Sequence, residues 1–400
     1  MRVLLSTIGS RGDVQPLVAL ALRVREHGAE VRVCAPPDFG EWIEGHGIPF
    51  VPIGPSLRGT AKAAPPRMSS TPEQRRQTVA GTVAAQFETL PAAARDCDVI
   101  VAATALQLAA RSVAEHRGIR YVYASFCPAA LPSPHHAPPV LAMLGDTPAD
   151  GTVDNRELWA AEARRQNEIW REPLDAHRAD LGLAPVDDVS AHVFTAAPWL
   201  AADPTLAPWP RTPGLDVFQP GAWILPDHRP LPAELTNFLD AGEPPVYFGF
   251  GSSRVPEGLT ETMVATARAF GRRLVASRGW AELTVVDDEP DCIAVGEVNQ
   301  QALFRRVAAV VHHGGAGTTT AAARAGAPQV VVPQHYDQHF FAQRVRDLGI
   351  GAAHPPTAPT TDSMTTALDH ALGCAHAAES VAGAVHTDGA DVAARRLVQK

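Results

Sequence analysis

Short apolar stretches alternate with longer amphipathic ones along nearly the whole chain, and turns containing glycine or proline separate them. Short apolar stretches bounded by such turns are typical of buried strands, and the amphipathic stretches are typical of helices. The predicted strands are Val3–Ile8, Val31–Ala35, Val99–Ala103 and Arg120–Ala124 in the first half, and Pro245–Phe250, Arg273–Ser277, Cys292–Val295, Ala308–His312 and Gln329–Val332 in the second. Such alternation predicts an α/β fold of two doubly wound, Rossmann-like domains that face each other across a cleft.

A seam rich in proline, glycine and tryptophan, Leu206–Pro232, separates the two halves. We predict a first domain over residues 1–215, an interdomain linker over 216–232 and a second domain over 233–378. Residues 379–400 are expected to form a helical tail that packs back on the first domain. Two long segments, Gly54–Pro72 and Cys127–Asp150, fit neither pattern, and loops of such length are usually functional or disordered. They are either walls of a site for a bulky substrate or solvated linkers.

The composition narrows the possible partners and compartments. The chain has 400 residues, of which 46% are hydrophobic, and its net charge is -9. A negative chain is a poor partner for nucleic acid. The start of the chain lacks the apolar run of a signal peptide, and no stretch has the length of a membrane span. The five cysteines are odd in number and widely spaced, which favours free thiols in a reducing cytoplasm. A monomer is expected.

The segment His312–Thr319 (HHGGAGTT) carries the strongest chemical signal. It follows an apolar strand and opens a helix, so its glycines let a ligand approach the backbone and its first amides face that ligand. An imidazole and the hydroxyls of Thr318 and Thr319 add further donors. The segment therefore predicts a diphosphate site, although an ordinary structural turn remains an alternative.

The usual phosphate motifs do not fit this segment. The only lysines are Lys62 and Lys400, so the lysine of a P-loop is missing. The dinucleotide pattern G-x-G-x-x-G fails because Thr320 stands where the third glycine belongs. A kinase or P-loop NTPase is thereby strongly disfavoured, and a dehydrogenase is disfavoured.

Polar residues follow several other predicted strands. Asp13 begins the first helix and is either a helix-start residue or a general base facing the cleft. Ser252 and Ser253 follow the strand ending at Phe250 and are either phosphate donors or a cap; no hydrolase G-x-S-x-G surrounds them. Asp337 and Gln338 can bind neighbouring sugar hydroxyls, or they cap a helix beginning near Asp337.

The remaining candidates are less specific. His335 and His339 have i, i+4 spacing, but Tyr336 replaces the glutamate of H-E-x-x-H, which disfavours zinc. Trp280 is either a platform for a nucleobase or a core residue. The segment Gly296–Asn299 follows a strand, and its backbone can read a pyrimidine edge.

Several segments together resemble the nucleotide-sugar-dependent glycosyltransferases of the GT-B fold, and more closely the vancomycin group, which decorates glycopeptide antibiotic aglycones. The resemblance spans essentially the whole chain. It rests on Val3–Leu20, the HHGGAGTT segment, Asp337–Gln338, Cys34–Asp38, Val51–Ser56, Gly221–Asp227, Ser277–Trp280 and Gly296–Asn299.

The resemblance implies that the first domain binds the acceptor and the second binds the donor. It implies a general base at Asp13; diphosphate contacts at Ser10, Arg11, Ser252, His313, Gly315, Gly317 and Thr318; nucleobase contacts at Trp280 and Val298; and donor-sugar contacts at Asp337 and Gln338. Many relatives hold the ribose with a glutamate where this chain has Ala321, so a deoxyribose donor, a dTDP-sugar, is plausible beside a UDP-sugar. No cofactor and no metal is implied.

One carboxylate without a nucleophile predicts a single displacement with inversion. Asp13 would take the acceptor proton, and the cradle would receive the departing nucleoside diphosphate. Three alternatives remain at this stage. They are transfer to a macrolide, sterol or other lipid; a sugar-nucleotide epimerase; and a catalytically silent partner that activates another transferase.

Overall fold

The computed structural model describes residues 1–61, 71–104, 106–139, 153–253, 255, 258–284, 289–355 and 357–399. Parts of the two long segments, 54–72 and 127–150, therefore lie outside the described residues, as do Lys62 and Lys400. Short 3-10 helices occupy Arg58–Ala61 and Pro128–Ala130 within the described parts of those segments.

The first half of the chain forms one parallel six-stranded sheet. Its strands are β1 Arg2–Thr7, β2 Glu30–Ala35, β3 Phe50–Pro52, β4 Val99–Ala103, β5 Arg120–Ser125 and β6 Trp199–Leu200. The sheet order is β3-β2-β1-β4-β5-β6. The helices are α1 Arg11–Glu26, α2 Gly40–Gly45, α3 Pro72–Ala93, α4 Ala110–Arg117, α5 Asn155–Asp180 and α6 Val189–Phe194.

The second half forms another parallel sheet with the same topology. Its strands are β7 Val246–Gly249, β8 Leu274–Ser277, β9 Cys292–Val295, β10 Ala309–His312, β11 Gln329–Val331 and β12 Gly351–Ala353, in the order β12-β11-β10-β7-β8-β9. The helices are α7 Ala233–Asp240, α8 Leu259–Ala269, α9 Gln300–Leu303, α10 Ala316–Ala325, α11 Asp337–Asp347, α12 Thr361–Gly373 and α13 Ala375–Ala382. The two sheets confirm the predicted pair of doubly wound domains.

The strand order reverses between β1 and β4 in the first sheet and between β7 and β10 in the second. The central strands are buried on both faces, as in β4, where all five residues are buried. Open α/β sheets bind ligands beyond the carboxyl ends of the strands at such a reversal. Each domain therefore offers one crevice.

Three strands were not predicted: β3, β6 and β12. All three are short and lie at the edges of their sheets. β3 ends in Pro52, β6 has two residues, and β12 consists of Gly-Ala-Ala. These sequences lack the run of β-branched residues that marks a strand. They are strands because they pair with a neighbouring strand, and local sequence does not show that pairing.

The end of the chain returns to the first domain. The last helix, α14, spans Gly389–Val398 and packs against α1, and His27 Nε2 lies 2.8 Å from Asp391 Oδ1. The returning chain crosses the interdomain linker at two glycines, since a Cβ on Gly389 would lie 2.4 Å from the carbonyl carbon of Gly221. The residue-level domain bounds stay a prediction.

Two further findings concern the whole described chain. None of its described helices is both long enough and apolar enough to cross a membrane. All five cysteines are free thiols.

Candidate active site

Two glycine turns meet at the switch point of the second sheet. The turn at residues 250–253 follows β7 and contains Ser252, and the turn at residues 313–315 follows β10, the hydrogen-bonded neighbour of β7. A Cβ atom on Gly251 would lie 3.3 Å from Cε1 of His313, so the two turns are in contact. The structure therefore places Ser252 and His313 in one crevice.

His313 occupies a space that only glycine neighbours leave open. A Cβ on Gly315 would lie 2.6 Å from His313 Nε2. Nδ1 of His313 is buried and has no hydrogen-bond partner among the described residues. Burial, with smaller effects of His312 and His335, lowers the pKa of His313 to about 3. The imidazole is therefore uncharged at neutral pH and can offer a ligand one N–H donor but no positive charge.

The first turn of α10 completes the predicted diphosphate cradle. Gly315 precedes the helix, so the amides of Ala316, Gly317 and Thr318 have no acceptor within the helix and carry the positive end of its dipole. The expectation that Thr319 adds a donor is wrong. Its hydroxyl donates to the Gly315 carbonyl at 3.0 Å, because a mid-turn threonine readily bonds back one turn.

Trp280 lies between the cradle and the first domain. Its backbone amide donates to the Gly251 carbonyl at 2.9 Å, and its indole stacks on Phe39 with ring centroids 6.0 Å apart. The approach requires Gly279, because a Cβ there would lie 2.4 Å from the Gly251 oxygen. Trp280 therefore packs on the core of the first domain while it borders the donor crevice.

The second predicted nucleobase residue, Val298, is partly buried against the core of the second domain. Its neighbour Asn299 caps α9 by accepting the Ala302 amide at 2.9 Å. The Asn299 amide also donates to the carbonyls of Asp227 at 3.0 Å and Arg229 at 2.8 Å. The loop after β9 is thus tied to the predicted interdomain linker.

The start of α11 backs the cradle directly. A Cβ on Gly314, which has φ of +95°, would lie 3.0 Å from the Gln338 carbonyl oxygen. Gln338 is buried, and its side-chain oxygen accepts the Gln334 amide at 2.8 Å. Asp337 is the first residue of α11 and follows Tyr336, whose φ of +52° is strained for a residue other than glycine. The helix indeed begins at the expected Asp337.

Asp13 lies at the carboxyl edge of the first sheet, in the first turn of α1. Its Oδ2 accepts the Ser10 amide at 2.8 Å and faces the Ser10 hydroxyl at 3.4 Å. A Cβ on Gly9 would lie 2.2 Å from that same oxygen. The carboxylate therefore does serve the helix start, and it is half-buried at the cleft.

The two carboxyl groups of the site come from different domains, and they lie close enough for the charge of Asp13 to act on Asp337. Burial raises the pKa of Asp13 to about 6, against the lowering effect of the Ser10 hydrogen bonds. Burial, and then the negative charge of Asp13, raise the pKa of Asp337 to about 7. Since Ser10 stabilises only the Asp13 carboxylate, Asp13 ionises first and Asp337 holds its proton to higher pH.

Arg11 makes contacts other than those expected of it. Its guanidinium lies 3.7 Å from the centre of the Trp42 ring, and Nη1 lies 3.2 Å from the Glu297 carboxylate. Nε donates to Gln15 at 2.9 Å. Arg11 therefore bridges the first domain to the loop after β9, and its predicted phosphate contact stays a prediction.

Two further positions bear on ligand choice. Ala321 lies on α10 and is partly buried against the core of the second domain. Within the described ranges, no group of three or more histidine, cysteine, aspartate or glutamate side chains is arranged to hold a metal ion.

Sequence reasoning missed several residues around the site. Trp42 was not considered, and Glu297 was named only as part of the segment Gly296–Asn299 and not as the partner of Arg11. Tyr123 was also missed, and it lies close enough to Asp13 for that carboxylate to raise its pKa. His312 belongs to the HHGGAGTT segment, and its side chain holds the turn rather than a ligand. Its Nδ1 accepts the Gly314 amide at 3.1 Å, and its Nε2 bonds Gln329 at 2.9 Å, which fixes the turn.

Two models of known protein families match the chain, one in each domain. Residues 3–133 match the model of the glycosyltransferase family 28 N-terminal domain. Residues 262–392 match the model of the C-terminal domain of erythromycin biosynthesis protein CIII-like proteins.

Similar proteins of Amycolatopsis orientalis cover almost the whole chain. Glycosyltransferase GtfE is 52% identical over 99% of this chain and 97% of its own length. Vancomycin aglycone glucosyltransferase is 50% identical over 100% of this chain and 97% of its own. A dTDP-epi-vancosaminyltransferase is 44% identical over 93% of this chain and 90% of its own length.

Solved structures share the fold. The glycotransferase of kitacinnamycin superimposes with a TM-score of 0.71 at 20% identity, covering 99% of this chain and 98% of the other. The glycosyltransferase VinC in complex with dTDP superimposes with a TM-score of 0.65 at 22% identity, covering 100% of this chain and 98% of the other. At these identities the likeness concerns the GT-B architecture alone.

Proposed function

Because this chain belongs to the vancomycin-group glycosyltransferases of the GT-B fold, we propose that it transfers a sugar from a dTDP- or UDP-sugar to a hydroxyl of a glycopeptide antibiotic aglycone. The observation that carries the proposal is the pair of carboxyl groups across the cleft. Asp13 comes from the first domain, Asp337 from the second, and the Asp13 charge acts on Asp337.

The first domain supplies the base. Asp13 has a pKa raised to about 6, so it is ionised at neutral pH and yet basic enough to take a proton. In the proposed step the acceptor hydroxyl gives its proton to Asp13 while its oxygen forms a bond to the anomeric carbon. The bond from that carbon to the diphosphate oxygen breaks, so the configuration inverts.

The second domain receives the leaving group. We assign the departing diphosphate to His313, Ser252, Thr318 and the amides at Gly315 and Gly317. The uncharged imidazole and the helix amides act as fixed donors, which stabilise negative charge without reorganising. Ser10 and Arg11 are proposed on the phosphate side of the first domain.

The donor's other groups are assigned by proximity to this cradle. Trp280 borders the crevice through its bond to the Gly251 carbonyl, and we assign the nucleobase to this residue and to Val298, which is partly buried after β9. Asp337 and Gln338 border it where α11 meets Gly314, the proposed place of the sugar. Since Ala321 offers the ribose no hydrogen bond, we propose that the chain accepts dTDP-sugars. The base and the cradle come from one chain, so the reaction needs one copy only.

The acceptor class rests on the relatives. The chain is 50% identical to a vancomycin aglycone glucosyltransferase but 29% identical to a plant sterol 3-beta-glucosyltransferase. A sterol or macrolide acceptor is therefore not favoured. An epimerase would form an epimer from the labelled sugar nucleotide alone, which we do not expect.

Replacing the base tests the proposal. Asp13→Asn keeps an oxygen for the Ser10 amide but removes the basic carboxylate. Turnover should fall at least about a hundredfold, as for the loss of a positioned base, while the Kd for dTDP changes little. The matched control is Asp38→Asn, since Asp38 is a half-buried carboxylate of the same domain that accepts the backbone amides of Leu57 and Arg58 and has no proposed role in transfer. Unchanged turnover in Asp13→Asn would remove Asp13 as the base.

A further inference from the structure

Buried polar atoms without partners gather at the carboxyl edge of the first sheet. The hydroxyls of Ser6, Thr104 and Tyr123 and both amide atoms of Gln107 have no hydrogen-bond partner among the described residues. Tyr123 is 1% exposed, and Gln107 and Ser6 are 0% exposed. Nearly all buried polar groups in folded proteins are paired, and an unpaired one costs about 1–3 kcal/mol. Such a concentration at the sheet edge where Asp13 also lies points to a ligand.

The register of the strands places two of these hydroxyls on the same face. Ser6 of β1 pairs with Ala102 of β4, and Ala102 pairs with Tyr123 of β5. Paired residues of parallel strands point their side chains to the same side of the sheet. The small methyl of Ala102 leaves lateral space between the Ser6 and Tyr123 side chains.

A second tyrosine on the same face shows that pairing is possible there. Tyr121 lies two residues before Tyr123 on β5, so both side chains leave the sheet on the same side. The Tyr121 hydroxyl donates to the Val193 carbonyl at 3.0 Å. Only the phenol nearer the carboxyl end of the strand, and nearer Asp13, is left without a partner.

The surroundings of Tyr123 lie on the path between the two domains. Its ring packs on Phe194 with centroids 4.9 Å apart. It belongs to an apolar cluster that holds Cys127 and Leu131 of the first domain together with Phe341 of α11 in the second. The apolar cluster around Tyr123 therefore spans both domains.

We propose that Tyr123 is an acceptor-binding residue, whose phenol holds the reacting hydroxyl of the acceptor within reach of Asp13. The inference rests on the proposed function of the Asp13 site. The phenol donates a hydrogen bond to the acceptor oxygen, whose own proton goes to Asp13 and whose remaining lone pair attacks the anomeric carbon. Burial and the nearby Asp13 charge raise the pKa of Tyr123, so the phenol keeps its proton throughout.

Tyr123→Phe removes only the hydroxyl and fits the same space. With a glycopeptide aglycone as acceptor and a fixed dTDP-sugar, kcat/KM for the acceptor should fall about tenfold or more, the loss of one hydrogen bond to a ligand. The Kd of the aglycone should rise, and the Kd of dTDP should stay within about twofold. The melting temperature should stay equal or increase, because a buried unpaired hydroxyl is lost.

Tyr121→Phe is the matched control and should behave in the opposite way. It removes a satisfied hydrogen bond, so the melting temperature should fall while kcat/KM for the acceptor stays within about twofold. Two results for Tyr123→Phe would overturn the inference. One is an aglycone affinity and a kcat/KM that do not change. The other is a lowered melting temperature together with an equal loss of dTDP binding. Absence of any glycoside product from the unmodified protein would instead overturn the proposed function. Aglycone binding to the two variants would still test the inference.

Discussion

Replacing Gly9 by alanine gives the most quantitative test of Asp13 as the base. A Cβ on Gly9 would lie 2.2 Å from Asp13 Oδ2, 2.4 Å from Cγ and 2.8 Å from Cβ. All three atoms belong to Asp13, and real Cβ atoms essentially never approach closer than 3.0 Å. In Gly9→Ala the Asp13 oxygen must therefore move by at least 0.8 Å, the difference between 3.0 and 2.2 Å.

The displacement should be costly for the reaction and mild for the fold. A base misplaced by about 1 Å loses roughly a hundredfold in rate, which equals about 2.7 kcal/mol of transition-state stabilisation. Loss of the Ser10 amide bond at 2.8 Å removes a helix cap worth about 1 kcal/mol. We expect kcat/KM for glycosyl transfer to fall about a hundredfold, with a melting temperature lower by a few degrees.

The assay combines steady-state transfer rates with dTDP binding by calorimetry. The dTDP affinity should change far less than the rate, because all the proposed diphosphate contacts except Ser10 and Arg11 lie in the other domain. Gly45→Ala is the control, since a Cβ on Gly45 meets nothing within 4 Å, and it should keep full activity. Gly9→Ala with the kcat/KM of the unmodified protein would refute the reasoning, because the position of Asp13 would then not matter.

Three other outcomes are expected. Because the pKa of Asp13 is raised to about 6 and the base must be ionised, a pH profile of kcat/KM should fall about tenfold per unit below pH 6; a flat profile from pH 7 to 4.5 would contradict the assignment. The pKa of Asp337 is raised to about 7 from 3.8, so its ionisation destabilises the folded state above pH 7 and this penalty disappears as the pH falls towards 4. Asp337→Asn should therefore be more stable than the parent at pH 8, by about 1–4 kcal/mol in denaturant unfolding, and equal to it near pH 4. His313→Ala should lose donor affinity and rate together, and retained dTDP affinity would place the cradle elsewhere.

The central strands and the turns that follow them could be predicted from the sequence alone, for a physical reason. β1, β4, β7 and β10 are buried on both faces and so appear in the sequence as continuous apolar runs. The turns after β1, β7 and β10 carry glycines where a Cβ would meet neighbouring atoms. The edge strands β3 and β12 carry no such signal. Their pairing depends on a neighbouring strand, which local sequence does not encode.

Contacts between the two domains were beyond sequence reasoning. The effect of Asp13 on Asp337 and the bridge from Arg11 to Glu297 both depend on how the domains face each other. Tyr123 was missed for another reason. It lies within an apolar strand, where a tyrosine is usual, and only its unpaired hydroxyl distinguishes it from Tyr121.

The central claim is an inverting transfer from a nucleotide sugar to an aglycone, and product analysis tests it most directly. The protein would be incubated with dTDP- and UDP-sugars, each paired with glycopeptide, macrolide and sterol acceptors, and the products analysed by mass spectrometry and by NMR of the anomeric proton. We predict a mass gain of one sugar on the glycopeptide aglycone, with an anomeric configuration opposite to that of the donor. Retained configuration, or sugar transfer to none of the glycopeptide aglycones while a sterol or macrolide is glycosylated, would contradict the account.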